Sequence, residues 1–327
     1  MLFHPSYIMF VISLLFSIIL LVSSSSWFIA WLAMEINLLS FIPIIFNKKN
    51  KYSSESAMKY FLIQAFSSVF ILVVVISMNY SLSIMIILLM SALSLKLGAA
   101  PFHQWMPAII EGLSWPVAYI FLIFQKINPM MLIMFLTKYF PQFMNMIIIF
   151  SAIVGSVGGL TQSSIRKIMV FSSIAHISWI FTAILINNYL WMCYFIIYSF
   201  MLFCLVSLFY KMEVFSLNQM LLKKKSLMSI IMMMSLMSLG GLPPFTGFLP
   251  KFMITMELVS LENILLMLPL LTGTFFSLFF YMRVSLNNMF TKSSYLLMNN
   301  EMLKKSNLLI TMNVVGLLII PLMIMFV

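Results

Sequence analysis

Four charged side chains, Glu35, Lys96, Lys126 and Lys251, lie inside or at the edge of apolar runs. A charge at the centre of a bilayer costs at least about 2.5 to 3.5 kcal/mol on insertion scales, which makes intramembrane ionisable residues functional candidates by default. Glu35, in Ala33-Met34-Glu35-Ile36-Asn37, is the only carboxylate clearly placed mid-run. Alone in an apolar medium it would tend to take up a proton, so it needs a partner, and Lys96 is the expected one. Their chemistry would be proton handling. Moving a carboxylate towards or away from a desolvated lysine changes the lysine's proton affinity, and a swing of roughly four pKa units is about 5.5 kcal/mol. That exceeds the roughly 2.3 kcal/mol needed to move one charge against 100 mV.

His176, in Phe171-Ser172-Ser173-Ile174-Ala175-His176-Ile177-Ser178, and His103 are further candidate relays, because imidazole titrates near neutral pH. Blander readings stand beside these. Lys251 can snorkel from a helix end, Glu35 and Lys96 can form a static buried pair, and both histidines can be hydrogen-bonded packing residues. Gln64, Gln125 and Asn128 serve equally well to hydrate a path or to bond helix to helix. The chain contains no GxGxxG fingerprint, no GxxxxGK[ST] loop and no metal-ligand spacing. Cys193 and Cys204 fit neither a CxxC pair nor an iron–sulfur spacing. A device that lifts protons would therefore draw its energy from a partner.

The elements holding these residues are two matched interruptions. Leu95-Lys96-Leu97-Gly98-Ala99-Ala100-Pro101-Phe102-His103-Gln104-Trp105-Met106-Pro107 and Gly240-Gly241-Leu242-Pro243-Pro244-Phe245-Thr246-Gly247-Phe248-Leu249-Pro250-Lys251 share Gly-x-x-Pro-Phe-x-x-aromatic-x-Pro at identical spacing. One lysine precedes its break and the other follows. Broken helices are tolerated in hydrocarbon only where protein or a water-filled cavity satisfies the freed backbone groups, and a matched pair points to internal repeats.

The rest of the chain is hydrocarbon-compatible almost end to end. Hydrophobic residues make up 63% and charged residues 8% of 327, and mean hydropathy is +1.13, which excludes an ordinary soluble domain. The expected fold is an all-α polytopic membrane protein, a single transmembrane domain over 1–327 with about eleven transmembrane helices. These are placed near 5–22, 26–46, 57–79, 82–104, 113–136, 142–160, 165–186, 189–210, 227–254, 263–283 and 307–327, each on the ruler of roughly 20 apolar residues per span. Met1 to Phe3 lead almost directly into the first apolar run, so no transit peptide is expected.

Connections on one side hold 14 of the 18 basic residues: Lys48, Lys49, Lys51, Lys59, Arg166, Lys167, Lys211, Lys223, Lys224, Lys225, Arg283, Lys292, Lys304 and Lys305. The other side has Lys138. The positive-inside rule then places the N-terminus in the matrix or cytoplasm and the C-terminus opposite. An odd count makes the fourth and ninth helices antiparallel, so residues about 5–138 and 142–285 form two inverted five-helix repeats, and 307–327 is an added C-terminal helix. The net charge of +11 is thus a topological signal rather than a nucleic-acid footprint, and the basic face suits anionic headgroups such as cardiolipin. Gly155-x-x-x-Gly159 reads as a helix-packing face.

Five motifs occur together: Met34 to Pro43 (MEINLLSFIP), Leu95 to Pro107, Gln125 to Pro129 (QKINP), Ile165 to Trp179 (IRKIMVFSSIAHISW) and Ser238 to Lys251. In them the chain closely resembles the NADH dehydrogenase subunit 2 family, the mitochondrially encoded antiporter-like subunits of respiratory complex I, in their short animal form. The resemblance covers residues 26 to about 285. It implies a glutamate paired with a lysine on a broken helix, a central lysine, and a third lysine on the second broken helix, matching Glu35, Lys96, Lys126 and Lys251. It implies that electron transfer from NADH to ubiquinone drives the path, with NADH, FMN, iron–sulfur clusters and ubiquinone handled by partner subunits in the mitochondrial inner membrane. Neighbouring antiporter-like subunits would be its contacts. Where the family usually has a small residue, this chain has Asn128, which puts the hydration around Lys126 in question. Two other functions fit the residues alone: a gradient-driven cation/proton antiporter subunit, and a scaffold whose charged pairs fix helix register.

Overall fold

Long apolar runs leave the backbone one economical solution in hydrocarbon, a helix that satisfies its own N–H and C=O groups, and helices are what the chain forms. The computed structural model describes residues 5–46, 50–77, 82–222 and 226–289. Among these lie thirteen helices: α1 (Pro5–Val22), α2 (Trp27–Ile45), α3 (Lys51–Ile76), α4 (Leu82–Leu97), α5 (Trp105–Ile110), α6 (Trp115–Leu136), α7 (Pro141–Leu160), α8 (Ile165–Ile186), α9 (Asn188–Met212), α10 (Leu217–Leu222), α11 (Ser226–Gly240), α12 (Phe248–Ser260) and α13 (Ile264–Met289). Seven of them, α2, α3, α6, α7, α8, α9 and α13, are long and apolar enough to cross a membrane, and α1, α4 and α11 contain shorter apolar stretches.

Several boundaries differ from those expected. Helix α3 begins at Lys51, not near 57, because the Asn50 side chain accepts a hydrogen bond from Tyr52 N and extends the helix into a polar turn. The helix expected at 82–104 ends at Leu97 as α4, with α5 starting beyond that range at Trp105, and the one expected at 227–254 divides into α11 and α12. Helix α10, six residues long, falls below the length that hydropathy can register. The expected helix at 307–327 lies outside the described residues, as do Lys48, Lys49, Lys223 to Lys225, Lys292, Lys304 and Lys305.

The chain divides into two compact units, residues 1–147 and 148–327. In the first, α2 packs on α1 and α3, α3 packs on α4 and α5, and α6 lies against α1, α2 and α4. Phe41, Tyr60, Trp105 and Phe121, from four different helices, form a connected aromatic cluster whose ring centroids are 5.1 to 6.5 Å apart. Such edge and offset arrangements add to the area they bury. In the second unit α8 is the axle, with 89% of its apolar window buried. It packs against α9, α12 and α13, while α11 packs on α9 and α13. Gly155 sits so close to α8 that a Cβ on it would come 2.5 Å from Ala175 N, so the small-residue face is a packing face as expected.

Candidate functional site

Both interruptions are closed by one backbone device. Gly98 has φ 67° and Gly241 has φ 81°, left-handed values open to glycine at little cost. In each, the glycine N–H bonds the carbonyl three residues back, Leu95 or Ser238, and the next N–H bonds five back, Ala99 to Ser94 and Leu242 to Met237. This is the hydrogen-bond pattern of a glycine-terminated helix.

It leaves the last carbonyls of α4 and α11 in need of outside donors, and the two breaks recruit different ones. At the first, Gln64 Nε2 of α3 donates to Lys96 O at 3.2 Å and Trp105 Nε1 of α5 donates to Leu95 O at 3.1 Å. At the second, Lys251 Nζ of α12 donates to Leu239 O at 3.2 Å and to Gly240 O at 2.8 Å. Lys96 O and Leu239 O both stand two residues before the left-handed glycine. A neutral amide thus caps one break, and an ammonium caps the equivalent carbonyl of the other. Lys251 is buried beside its break, with its amino group turned onto the break's own carbonyls.

The first unit holds Glu35, Lys96 and Lys126. Lys96 is in the last turn of α4 and is 5% exposed, and Lys126, on α6, is 2% exposed. Glu35 is half-buried on α2. It does not form an ion pair with Lys96: among the described residues the one pair within 4 Å is Lys59 with Glu55. The static buried pair that the sequence left open for Glu35 and Lys96 is therefore not formed as a direct salt bridge. Beside Lys126, Gln125 Oε1 accepts from Tyr60 OH at 2.7 Å, and Tyr60 and Gln64 are neighbours one turn apart on α3. Asn128 turns its amide to Ser17 Oγ of α1 at 3.4 Å. Two residues along a helix is about 200° around it, so Asn128 and Lys126 leave α6 on different sides.

The second unit holds Lys251 and His176. Both line one cavity of about 10 Å³, together with Trp179, Thr274, Ser277 and Tyr281 among others. That is about the space needed for one water. His176 is 4% exposed, and its Nδ1 lies 2.7 Å from the Tyr194 hydroxyl. Its ring meets that of Tyr198 with centroids 4.6 Å apart. His103 is half-buried in the first break, with Nδ1 3.2 Å from Pro101 O. The three tyrosines around His176 escaped the sequence reading, because aromatics are common throughout the chain. The one available signal was the four-residue spacing of Tyr194 and Tyr198, which puts both on one face of α9.

All-helical among the described residues, with ionisable residues at two glycine-closed breaks, the chain has the fold of the antiporter-like membrane proteins. The family described as NADH:quinone oxidoreductase/Mrp antiporter, transmembrane, matches residues 24–83 and 77–277. A NADH-ubiquinone oxidoreductase chain 2 from Anopheles gambiae is 41% identical over 94% of both chains. One from Aedes aegypti is 39% identical over 96% of both. A chain of respiratory complex I from Thermus thermophilus superposes with a TM-score of 0.83 at 20% identity, covering 97% of this chain and 80% of that one. A chain of the Mrp complex from Dietzia gives 0.73 at 14% identity, over 88% and 61%. The chain belongs to the NADH-ubiquinone oxidoreductase chain 2 family.

Proposed function

We propose that the chain is a multi-pass subunit of NADH:ubiquinone oxidoreductase in the mitochondrial inner membrane. It contributes one proton path driven by electron transfer in partner subunits. The observation that supports the path most directly is burial: Lys96, Lys126 and Lys251 are each at most 8% exposed, in or beside apolar helices. Glu35 acts on Lys96 through space, Lys126 is the central relay, and Lys251 with His176 serves the second unit. The NADH, FMN, iron–sulfur and ubiquinone chemistry belongs to partners, and this chain supplies none of it.

The finer arrangement is part of the same reading. Eleven spans put the N-terminus in the matrix and the C-terminus in the intermembrane space, with inverted repeats over about 5–138 and 142–285 and a last helix at 307–327. The matched glycine closures at Gly98 and Gly241 support the repeats. Anionic lipids such as cardiolipin would meet the basic matrix face.

The test is Lys96→Ala in the intact complex, reconstituted in vesicles. The expected result is retained NADH oxidation with fewer protons moved per electron, and an unchanged proton count would sink the relay. Likeness to an Mrp complex favours one competing reading, a gradient-driven cation/proton antiporter. Native-gel separation with NADH-dependent staining and peptide identification separates the two. Co-migration with a large NADH-oxidising complex supports the first, and migration in a smaller NADH-inactive assembly supports the second.

A further inference from the structure

His176 is held on two sides by one face of α9. The Tyr194 hydroxyl lies 2.7 Å from Nδ1, and one turn later the Tyr198 ring packs against the imidazole at 4.6 Å and 35°. Tyr194 is 1% exposed and Tyr198 fully buried, so bulk water does not compete for the Tyr194 hydroxyl. The cavity shared by His176 and Lys251 is not lined by Tyr194. Nδ1 is thus engaged by a tyrosine that does not line the cavity, while His176 itself is one of the residues that do.

We propose that Tyr194 is a positioning residue for proton transfer at His176: its oxygen accepts the Nδ1 hydrogen in both protonation states and confines exchange to Nε2. The contact itself fits either tautomer, because a hydroxyl both donates and accepts; the one proposed carries its hydrogen on Nδ1, which leaves Nε2 able to accept a proton. This rests on the reading that His176 belongs to the proton path. The step balances simply. When the imidazolium gives up a proton, the Nε2–H bond breaks, Nδ1–H stays on Tyr194, and the proton goes to a water in the cavity or to the free amine of Lys251. Uptake from a Lys251 ammonium is the reverse. Without Tyr194 the ring can rotate, or carry its neutral hydrogen on Nε2, and then Nε2 cannot accept a proton.

The test compares Tyr194→Phe, Tyr194→His and His176→Gln in the intact complex, reading protons moved per electron at matched NADH oxidation. Tyr194→Phe should lose as much of the proton count as His176→Gln, and the double variant should lose no more than either single one. Tyr194→His, a poorer fit but with a ring nitrogen to offer, should recover part of the loss. A purely structural role predicts the opposite order, because phenylalanine is the closer match in shape. A normal count in Tyr194→Phe alongside a reduced one in His176→Gln overturns the positioning role and leaves the relay intact. Normal counts in both overturn the relay reading and the positioning role with it. If neither Tyr194 variant assembles, tyrosine is there for packing and the proposal fails.

Discussion

Gly241→Ala tests whether the second break and Lys251 form one unit. At φ 81° a left-handed conformation costs a non-glycine residue about 1 to 2 kcal/mol. The added Cβ would lie 2.9 Å from Lys251 Cδ and 3.0 Å from Lys251 Nζ, which pushes the ammonium off Leu239 O and Gly240 O. Hydrogen bonds between transmembrane helices average about 0.6 kcal/mol and reach about 1.7, so weakening both adds about 1 to 3 kcal/mol. In a Lys251→Met background only the backbone cost of about 1 to 2 kcal/mol remains. The expected coupling is the difference, about 1 to 3 kcal/mol, in the range double-mutant cycles resolve. The assay is the thermal midpoint of the purified complex in the four variants of the cycle, with proton count per electron measured in vesicles at a permissive temperature. Gly241→Ala should lower the midpoint more when Lys251 is present, and should reduce pumping without altering the charge of any residue. An equal drop in both backgrounds would refute the idea that the ammonium caps the break.

Two further outcomes follow from packing and capping in the second unit. Gly155→Leu drives a side chain into the α8 backbone, with Ala175 N and Cα at 2.5 and 3.0 Å from the new Cβ. This should cost more than the usual overpacking penalty of about 1 to 3 kcal/mol and remove the chain from the complex on native gels, and normal assembly would refute the close approach. Arg283 donates to the carbonyls of Leu160, Gly159 and Gln162 at the end of α7, and hydrogen bonds to charged groups contribute about 1.5 to 3 kcal/mol each before any discount for partial exposure. Arg283→Met should therefore lower the thermal midpoint while leaving the proton count unchanged, so a pumping defect at normal midpoint would mean that Arg283 acts in the path.

The helices and the ionisable residues were legible without a structure. Hydropathy marks a span by its length alone, because a bilayer forbids any other way of satisfying the backbone, and a lysine in such a run is conspicuous. Glycine and proline marked both breaks for the same reason, since each changes what the backbone can do locally. What folding alone decided is partnership. Lys96 and Lys251 look alike in sequence, yet Lys251 caps the carbonyls of its own break while Gln64 does that work beside Lys96. Glu35, the partner expected for Lys96, does not meet it within ion-pair distance. Tyr60, Tyr194 and Tyr198 meet Gln125 and His176 from separate helices, with nothing in their local pattern to name the partner. Hydrophobicity and backbone chemistry are properties of a segment and can be read along the chain. The identity of a hydrogen-bond partner depends on how helices rotate and pack about one another, and only the tertiary structure sets those angles.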